Sequence, residues 1–412
     1  MMGAGLANVP GRRQGTDPVT RADREESRVA EFDMGLVQRG ARNRRTPYYE
    51  ATQRYGPQGF TVYNHMYFPI RFDTFEAEFA ALLTGVTIWD VAVERCLEIS
   101  GPDGFRFAQL LTPRNLARCA VGQGKYVLIC DSDGGIVNDP VLTRMDENTF
   151  WFALASSDAL LFARGLRNAY PDLDVTIREA DVAPLQVQGP KSKDLIAALV
   201  GESILDLKYY WWRRAEIRGI PVVITRTGWT SEVGYEIYLL DTSRGSELWE
   251  ALMEVGRPFG VKPTGPSDIR RIEGGIFNWG ADMTYENNAF EMGLQRLVDF
   301  DLGDDASISI AAYRRIKDAG VERRIVGVEI DGDPLPGLND TKWQASRDGH
   351  VIGKVTSAIW SPRLERNVGY CWLPADIATE GTTVAVATQW DDRAATVVAM
   401  PFVDPDKRIP VS

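Results

Sequence analysis

Histidine and cysteine are scarce in this chain. His65 and His350 are the two histidines among 412 residues, and the four cysteines show neither CxxC pairs nor the spacing of zinc ligands. A metal centre built from several histidines, a relay of imidazoles and a disulfide framework are therefore not expected. We predict reduced thiols and no metal site, so the chemistry must depend on other side chains.

Long apolar runs and an excess of basic residues are missing as well. No stretch is long and apolar enough to cross a bilayer, and the formal net charge is −11 with an isoelectric point near 5.0. Nonspecific binding of nucleic acid requires a concentrated basic face. Residues 1–45 also lack the apolar centre of a secretory signal. We therefore expect a cytoplasmic protein with small-molecule partners, and neither nucleic acid nor a membrane among them.

The length exceeds what one hydrophobic core normally organises, so several domains are expected. Residues 1–45 show no periodic apolar pattern, which predicts a flexible arm. Short strands alternate with helices through roughly 91–180, which indicates an α+β unit with antiparallel pairing, and a second α+β region follows. Beyond a helix predicted at 309–319 the apolar pattern has period two, which is typical of a terminal β-barrel or sandwich.

The most informative segment is GWTSEVGYEIY at 228–238, in which two glycines can make a tight turn before a strand. Alternation along that strand places Glu236 and Tyr238 on one face. A carboxylate there, with Trp229 on the preceding turn, could accept N–H bonds from a flat heterocycle such as a pterin, on which an aromatic ring stacks. From the pattern alone, a surface glutamate beside core aromatics is an equal alternative.

Two further segments have both a structural and a functional interpretation. In GGIVNDP at 134–140, Asn138 and Asp139 follow two glycines, so they are either cleft residues or ordinary turn residues. In LKYYWWRR at 207–214, four successive aromatics on a strand would put two rings on each side. One pair would be core, and the other could line a pocket and attract a cationic ligand such as a sulfonium.

Two remaining segments carry candidate polar residues. TVYNHMYFP at 61–69 is predicted to bring Tyr63, His65 and Tyr67 together by alternation, although a lone histidine is more often structural. IRRIEGG at 269–275 is typical of a helix end, where Arg271 is available for an ion pair or a ligand carboxylate.

Six short motifs, taken together and in this order, resemble the aminomethyltransferase (glycine-cleavage T-protein) superfamily over roughly residues 46–404. They are IWDVAVER with GPDG at 88–104, GGIVND, LQVQGPKS at 185–192, RTGWTSEVGYEIY, IRRIEGG, and GKVTSAIWSPRLERNVGY at 353–370. Within that superfamily, TVYNHM, WDVAVER, the NDP after the glycines and SPRLERNVG are most similar to the tetrahydrofolate-dependent demethylases of dimethylsulfoniopropionate.

The resemblance implies an α+β fold, a three-domain clover-leaf with folate in a central opening and a C-terminal β-barrel. The predicted domains are the arm at 1–45, a folate-binding domain from 46–90 and 181–300, an inserted domain at 91–180, and a linker helix with the barrel at 301–412.

The implied activity is transfer of a methyl group from a small donor, with dimethylsulfoniopropionate as the first candidate, to N5 of tetrahydrofolate. Three alternatives stay open: O-demethylation of a methoxylated aromatic acid, aminomethyl transfer, and folate binding without catalysis. The glycine-cleavage enzymes carry Asp-Asp where this chain has Asn138-Asp139, which argues against aminomethyl transfer. A sulfonium donor agrees with that departure, because its neutral thioether product needs no acid. A homodimer is left open.

The predicted site residues fall into three groups. The catalytic candidates are Asp139, Tyr126 and His65; the cofactor contacts are Glu236, Trp229, Tyr238, Asn138 and Arg271; the substrate contacts are Trp211, Tyr63 and Tyr67.

Overall fold

The computed structural model of the protein describes residues 40–412. Most of the flexible arm predicted over residues 1–45 lies outside the described residues. Its last part is tied to the fold, because the Arg44 N–H donates to the carbonyl of His65 at 2.7 Å and the Tyr67 N–H donates to the carbonyl of Arg44 at 3.1 Å.

The α-helices of residues 40–412 are α1 (Tyr49–Gln53), α2 (Phe75–Thr84), α3 (Gly104–Leu111), α4 (Ala159–Arg167), α5 (Ser192–Val200), α6 (Gly245–Gly256), α7 (Asp268–Glu273), α8 (Ile310–Ala319) and α9 (Arg408–Val411). The β-strands of the same residues are β1 (Gly59–Tyr63), β2 (Met66–Arg71), β3 (Thr87–Asp90), β4 (Cys96–Ser100), β5 (Gly124–Tyr126), β6 (Ile129–Cys130), β7 (Ile136–Asn138), β8 (Val141–Arg144), β9 (Phe150–Ala153), β10 (Thr176–Glu179), β11 (Ala183–Gln188), β12 (Trp212–Ile217), β13 (Ile220–Thr225), β14 (Gly234–Leu239), β15 (Lys262–Pro263), β16 (Arg323–Ile330), β17 (Trp343–Arg347), β18 (His350–Ser361), β19 (Arg366–Pro374), β20 (Thr383–Ala387) and β21 (Asp392–Val398).

Three large sheets organise these elements. A six-stranded sheet has the order β12-β13-β14-β11-β3-β15, a five-stranded sheet has the order β10-β4-β9-β8-β5, and β16-β19-β18-β17-β20-β21 close into a barrel. The predicted α+β class and the C-terminal barrel are thus confirmed. The six-stranded sheet takes strands from both predicted parts of the folate-binding domain, while the domain boundaries themselves stay predictions.

The six-stranded sheet buries one face in a hydrophobic core. Leu185, Ile224 and Ile237 lie on that face and pack in one cluster with Leu195 of α5 and Trp249 of α6. Because successive side chains of a strand point to opposite faces, the residues between these apolar positions project from the other side of the sheet. That second face holds the candidate site.

The segment at 61–69 is a hairpin and not a single strand. Asn64 and His65 form its two-residue turn with φ of 46° and 63°, the left-handed conformation that such turns require. Tyr63 therefore faces Met66, and Tyr67 faces Val62. The prediction that alternation brings Tyr63, His65 and Tyr67 together is wrong.

The aromatic segment at 207–214 is also not one strand. Strand β12 begins only at Trp212, and Tyr210 has a φ of 63°, which reverses the chain before the strand. The four rings therefore do not alternate across a sheet.

Within the described residues, no helix has the length and apolar character needed to span a membrane.

Candidate functional site

A row of four directly paired side chains crosses the six-stranded sheet. Glu236 on β14 faces Thr225 on β13 and Gln186 on β11, and Gln186 in turn faces Trp89 on β3. Paired residues of neighbouring strands project from the same face. All four side chains are at least 96% buried, so the sheet carries a polar row that ends in an indole and is shielded from bulk water.

Glu236 is held by hydrogen bonds from three side chains. Its Oε1 accepts from Gln186 Nε2 at 2.9 Å, and its Oε2 accepts from Thr227 Oγ1 at 2.5 Å and from Thr225 Oγ1 at 3.4 Å. Burial raises the pKa of Glu236, and the bonds from Thr227, Gln186 and Thr225 oppose that rise. The carboxylate is therefore oriented before any ligand binds.

Gln188, two residues beyond Gln186 on the same strand, explains the glycines of the motif at 228–238. A Cβ built on Gly228 would lie 2.1 Å from the Gln188 amide oxygen, and one on Gly234 would lie 2.4 Å from the Gln188 amide carbon. The left-handed backbone of this turn is at Ser231, with φ of 53°. The two glycines are thus required for the space that Gln188 fills, and not for an unusual backbone angle.

Asp139 and Tyr126 form the second part of the site. The Tyr126 hydroxyl donates to Asp139 Oδ2 at 3.0 Å. Burial raises the pKa of Asp139 to about 7, and the bond from Tyr126 opposes this effect. A carboxyl with a pKa near neutrality can both accept and release a proton under physiological conditions.

Glu94 joins these two parts and was missed in the sequence analysis. Burial raises its pKa first, and the negative charges of Glu236 and Asp139 raise it further. Such coupling requires that the three carboxyl groups lie close together. Glu94 belongs to the WDVAVER motif, so the motif contained the signal, but nothing in the local pattern indicated which of its residues faces the site.

Tyrosine rings surround the carboxyl groups. Burial raises the pKa of Tyr63, and the charges of Glu94 and Asp139 add to it. Tyr238 is 2% exposed, its ring centroid lies 6.0 Å from that of Trp151 on β9, and the charge of Glu236 reinforces the effect of burial on its pKa. The structure therefore brings Tyr63, Tyr126 and Tyr238 together with the carboxylates.

Tyr210 lies near Glu236, whereas Trp211 was the residue of this segment predicted to contact the substrate. Burial raises the pKa of Tyr210, followed by the charge of Glu236, while the charges of Arg114 and Arg296 lower it. Trp211 packs against the hydrophobic core of the six-stranded sheet. Its predicted substrate contact is not supported by this position, and Tyr210, Arg114 and Arg296 are residues that the local sequence did not single out.

Trp229 lies at the indole end of the polar row. It packs against Leu82, Trp89 and Val91, and the guanidinium of Arg271 lies 5.8 Å from the centroid of its ring. The ring is half-buried and packs against Trp89, the strand partner of Gln186, which agrees with its predicted place near a flat heterocycle.

Arg271 is not available to a ligand. Its three nitrogens bond Asp268 Oδ1 at 2.8 Å, Asp282 Oδ2 at 2.7 Å and Ser357 Oγ at 2.9 Å, and the residue is 1% exposed. Its cofactor contact stays a prediction that these internal bonds do not favour. Arg271 ties helix α7 to the barrel strand β18, which contains Ser357.

Asn138 is also used internally. Its Nδ2 donates to the carbonyl of Ala155 at 3.0 Å and to Ser157 Oγ at 2.6 Å, while its Oδ1 accepts from the Ala155 N–H at 3.2 Å. The side chain is fully buried, so its contact with the cofactor also stays a prediction that these bonds do not favour. Asn64 binds the residue before Ala155, because its Nδ2 donates to the carbonyl of Leu154 at 3.2 Å.

His65 and Tyr67 are placed away from the carboxyl groups. His65 is exposed at the tip of the β1–β2 hairpin. The Tyr67 hydroxyl accepts from the Gly40 N–H at 2.6 Å, and its ring packs near that of Tyr49 at 6.1 Å. The catalytic role of His65 and the substrate-binding role of Tyr67 stay predictions that these positions do not favour, because the hairpin turn reverses the chain between these residues and Tyr63.

The polar row fits a flat heterocycle that presents neighbouring N–H groups. Glu236 supplies a buried acceptor, and Gln186 Oε1 is buried without a hydrogen-bond partner among the described residues. Trp229 and Trp89 supply aromatic surface next to these acceptors. This combination is what a reduced pterin would require of the chain.

Two sequence profiles match the chain. The profile described as GCVT N-terminal domain matches residues 34–302, and the glycine cleavage T-protein C-terminal barrel domain matches residues 323–404.

Two curated relatives cover most of the chain. Dimethylsulfoniopropionate demethylase DmdA of Ruegeria pomeroyi is 37% identical over 364 residues, which are 88% of this chain and 98% of the relative. An aminomethyltransferase of Symbiobacterium thermophilum is 30% identical over 373 residues, with 87% and 97% covered.

A solved structure shows the same fold. The crystal structure of glycine cleavage system aminomethyltransferase T from Bartonella henselae superposes with a TM-score of 0.79 at 22% identity, covering 88% of this chain and 98% of that one.

Proposed function

This chain belongs to the glycine cleavage T-protein family, and we propose that within it the protein is a demethylase that moves a methyl group from dimethylsulfoniopropionate to tetrahydrofolate. Members of this family use tetrahydrofolate as the one-carbon carrier and transfer methyl or aminomethyl groups. The choice of a sulfonium donor is the finer step, and it rests on the charge and the aromatic lining of the site.

The cluster of Glu94, Asp139 and Glu236 is the observation that carries the proposal. The charges of Glu236 and Asp139 add to the effect of burial in raising the pKa of Glu94, and a group of buried carboxyls of this kind favours a ligand with a positive charge. Tyr63 and Tyr126 add aromatic surface, and contact of a cation with such rings is worth about 0.5–2 kcal/mol each. A sulfonium is a cation of this kind.

The charge balance of the reaction suits the same cluster. The methyl–sulfur bond breaks with its electron pair on sulfur, a methyl–nitrogen bond forms, and one proton is released. The positive charge of the donor thus leaves as a proton, and no anion is formed. Asp139, with a pKa of about 7 and a bond from the Tyr126 hydroxyl, can hold that proton on its second carboxylate oxygen.

Binding and alignment are the other contributions of the chain. Bound tetrahydrofolate supplies the nucleophilic N5. Glu236, Gln186 and Trp229 would hold its ring, and Tyr63, Tyr210 and Tyr238, which lie near the carboxyl groups, would enclose the methyl donor. Fixing two reactants in line is worth up to about 7–11 kcal/mol in well-oriented systems.

Asn138 supports methyl transfer over aminomethyl transfer. Its neutral amide is fully engaged with Ala155 and Ser157, so this position offers no acid to a leaving amine. The demethylase relative, at 37% identity, points the same way as the chemistry of this residue.

The O-demethylase alternative is favoured by a different observation. The charges of Arg114 and Arg296 act on Tyr210, so a carboxylate on an aromatic donor would find cations near those rings. Dimethylsulfoniopropionate also carries a carboxylate, and the cluster of acidic residues favours its cationic end.

The test is a product assay with a panel of donors. We expect 5-methyltetrahydrofolate, identified by mass spectrometry, when the protein is mixed with tetrahydrofolate and dimethylsulfoniopropionate. A phenol and the same folate product from a methoxybenzoate, with none from the sulfonium, would replace the proposal by the O-demethylase alternative. Folate binding without product from any S-, N- or O-methyl donor would favour a non-catalytic folate-binding protein.

A further inference from the structure

Gln186 has one half of its side-chain amide in use and the other half without a partner. Its Nε2 donates to Glu236 Oε1 at 2.9 Å, whereas its Oε1 is buried and accepts no hydrogen bond from the described residues. Buried acceptors are normally paired, because leaving one unpaired costs stability. Gln186 is 1% exposed, so bulk water does not supply the missing hydrogen bond to this oxygen.

Gln188 shows what a purely structural glutamine looks like on the same strand and face. Its Nε2 donates to the carbonyls of Thr227 at 3.1 Å and Tyr235 at 3.2 Å, and its Oε1 accepts from Thr230 Oγ1 at 2.7 Å. Both ends of that amide are satisfied within the protein. The difference between Gln186 and Gln188 therefore lies in the unused oxygen and not in burial or strand position.

Protein partners use at least half of the acceptor capacity of Glu236. An ionised carboxylate offers about four acceptor positions. Gln186 and Thr227 each donate to it, while Thr225 has a single hydroxyl proton for its contacts with Glu236 at 3.4 Å and with Thr227 Oγ1 at 2.5 Å. About two of the four positions are therefore firmly taken, and Gln186 Oε1 is a further acceptor beside those that remain.

We propose that Gln186 is a second recognition residue for the pterin ring, with its Oε1 accepting an N–H from the exocyclic amino group beside the N–H that Glu236 accepts. The amino group neighbours a ring N–H of the pterin, so Glu236 can accept the ring N–H while Gln186 Oε1 accepts the amino N–H. The Glu236 carboxylate keeps the Gln186 Nε2 turned toward itself and so directs Oε1 to the ligand. The inference rests on the proposed folate-binding function and deepens it.

The experiment is a cycle of one side-chain change and one ligand change, read by calorimetry. The ligands are tetrahydrofolate and its 2-desamino analogue, and the variant is Gln186→Met, which keeps the length of the side chain without its polar atoms. We expect the variant to bind tetrahydrofolate about tenfold more weakly, as loss of a buried hydrogen bond implies. Removing the amino group should weaken wild-type binding by a similar factor and the variant's binding by less than about twofold.

Thr225→Val is the matched control. It removes the longest of the three donors to Glu236 and leaves Gln186 in place. In this variant, removal of the amino group should still cost as much as in the wild type. Melting temperatures of both variants establish that binding is compared between folded proteins.

Two outcomes would overturn the inference, and they are distinguishable. If removal of the amino group costs the same factor in Gln186→Met as in the wild type, Gln186 acts only by orienting Glu236, and the folate-binding function survives. If the wild type does not bind tetrahydrofolate at all, the proposed function and this inference fail together.

Discussion

Replacing Asp139 by asparagine should make the protein more stable in mildly alkaline solution. The ordinary pKa of an aspartate is 3.8, and burial raises that of Asp139 to about 7. The folded state therefore holds a proton that the unfolded chain has already lost between these two values. The free energy of unfolding contributed by this group falls as pH rises through that window.

The size of the effect follows from the shift. About three pKa units correspond to roughly 4 kcal/mol of stability lost between pH 4 and pH 7, at 1.36 kcal/mol per unit. An asparagine side chain at this position has nearly the same shape as the aspartate and does not titrate. We therefore expect Asp139→Asn to exceed the wild type in free energy of unfolding at pH 8 by up to about 4 kcal/mol, with the difference shrinking toward pH 4.

Urea unfolding at pH 5, 6.5 and 8 measures this difference directly. Asp90→Asn is the matched control, because burial also raises the pKa of Asp90 to about 7 while its hydrogen bonds come from Thr46 and Ala92 and not from site residues. Both variants should show the same pH trend in stability, and only Asp139→Asn should change the pH dependence of the proposed demethylation. A difference between Asp139→Asn and wild type that does not vary with pH would refute the reasoning.

Three further predictions concern the polar row and its supports. Glu236→Gln should bind tetrahydrofolate about 10–150-fold more weakly by calorimetry, because charge-assisted bonds are worth roughly 1.5–3 kcal/mol; unchanged affinity would remove Glu236 from the folate site. Gly234→Ala should lower stability by about 1–3 kcal/mol in thermal melting, since its Cβ would lie 2.4 Å from the Gln188 amide; a melting point equal to wild type would contradict that packing. Arg271→Met should lower the free energy of unfolding in urea by about 3–5 kcal/mol, because Asp282 is then buried without its cation. Normal stability together with lost folate binding would instead support a contact between Arg271 and the ligand.

Much of the fold could be predicted from the sequence, because its signals are local. Period-two alternation indicated that Glu236 and Tyr238 share a strand face, and the sheet register places both on the side away from the core. The helix predicted at 309–319 is α8, and the alternating pattern beyond it is the closed barrel. Strand and helix periods depend only on backbone geometry, so neighbouring residues carry that information.

Local patterns were misleading where the chain reverses, and they gave no information on partners that are distant in the sequence. Alternation over 61–69 predicted one continuous strand. Two left-handed residues, Asn64 and His65, make a turn there instead and separate His65 from Tyr63. The local sequence around Arg271 suggested a ligand contact. In the structure its charge is balanced by Asp282, and its guanidinium also donates to Ser357, which is distant in the chain.

The sequence by itself determined the fold class, the family and the strand that carries Glu236, since each depends on short motifs and on local periodicity. Tertiary structure alone decided which residues meet that carboxylate. Gln186 lies 50 positions earlier in the chain, and Glu94 is still farther away, so strand pairing and sheet packing bring them to Glu236. Hydrogen bonds and Coulomb interactions depend on distance in space, and that distance is fixed only when the strands have paired.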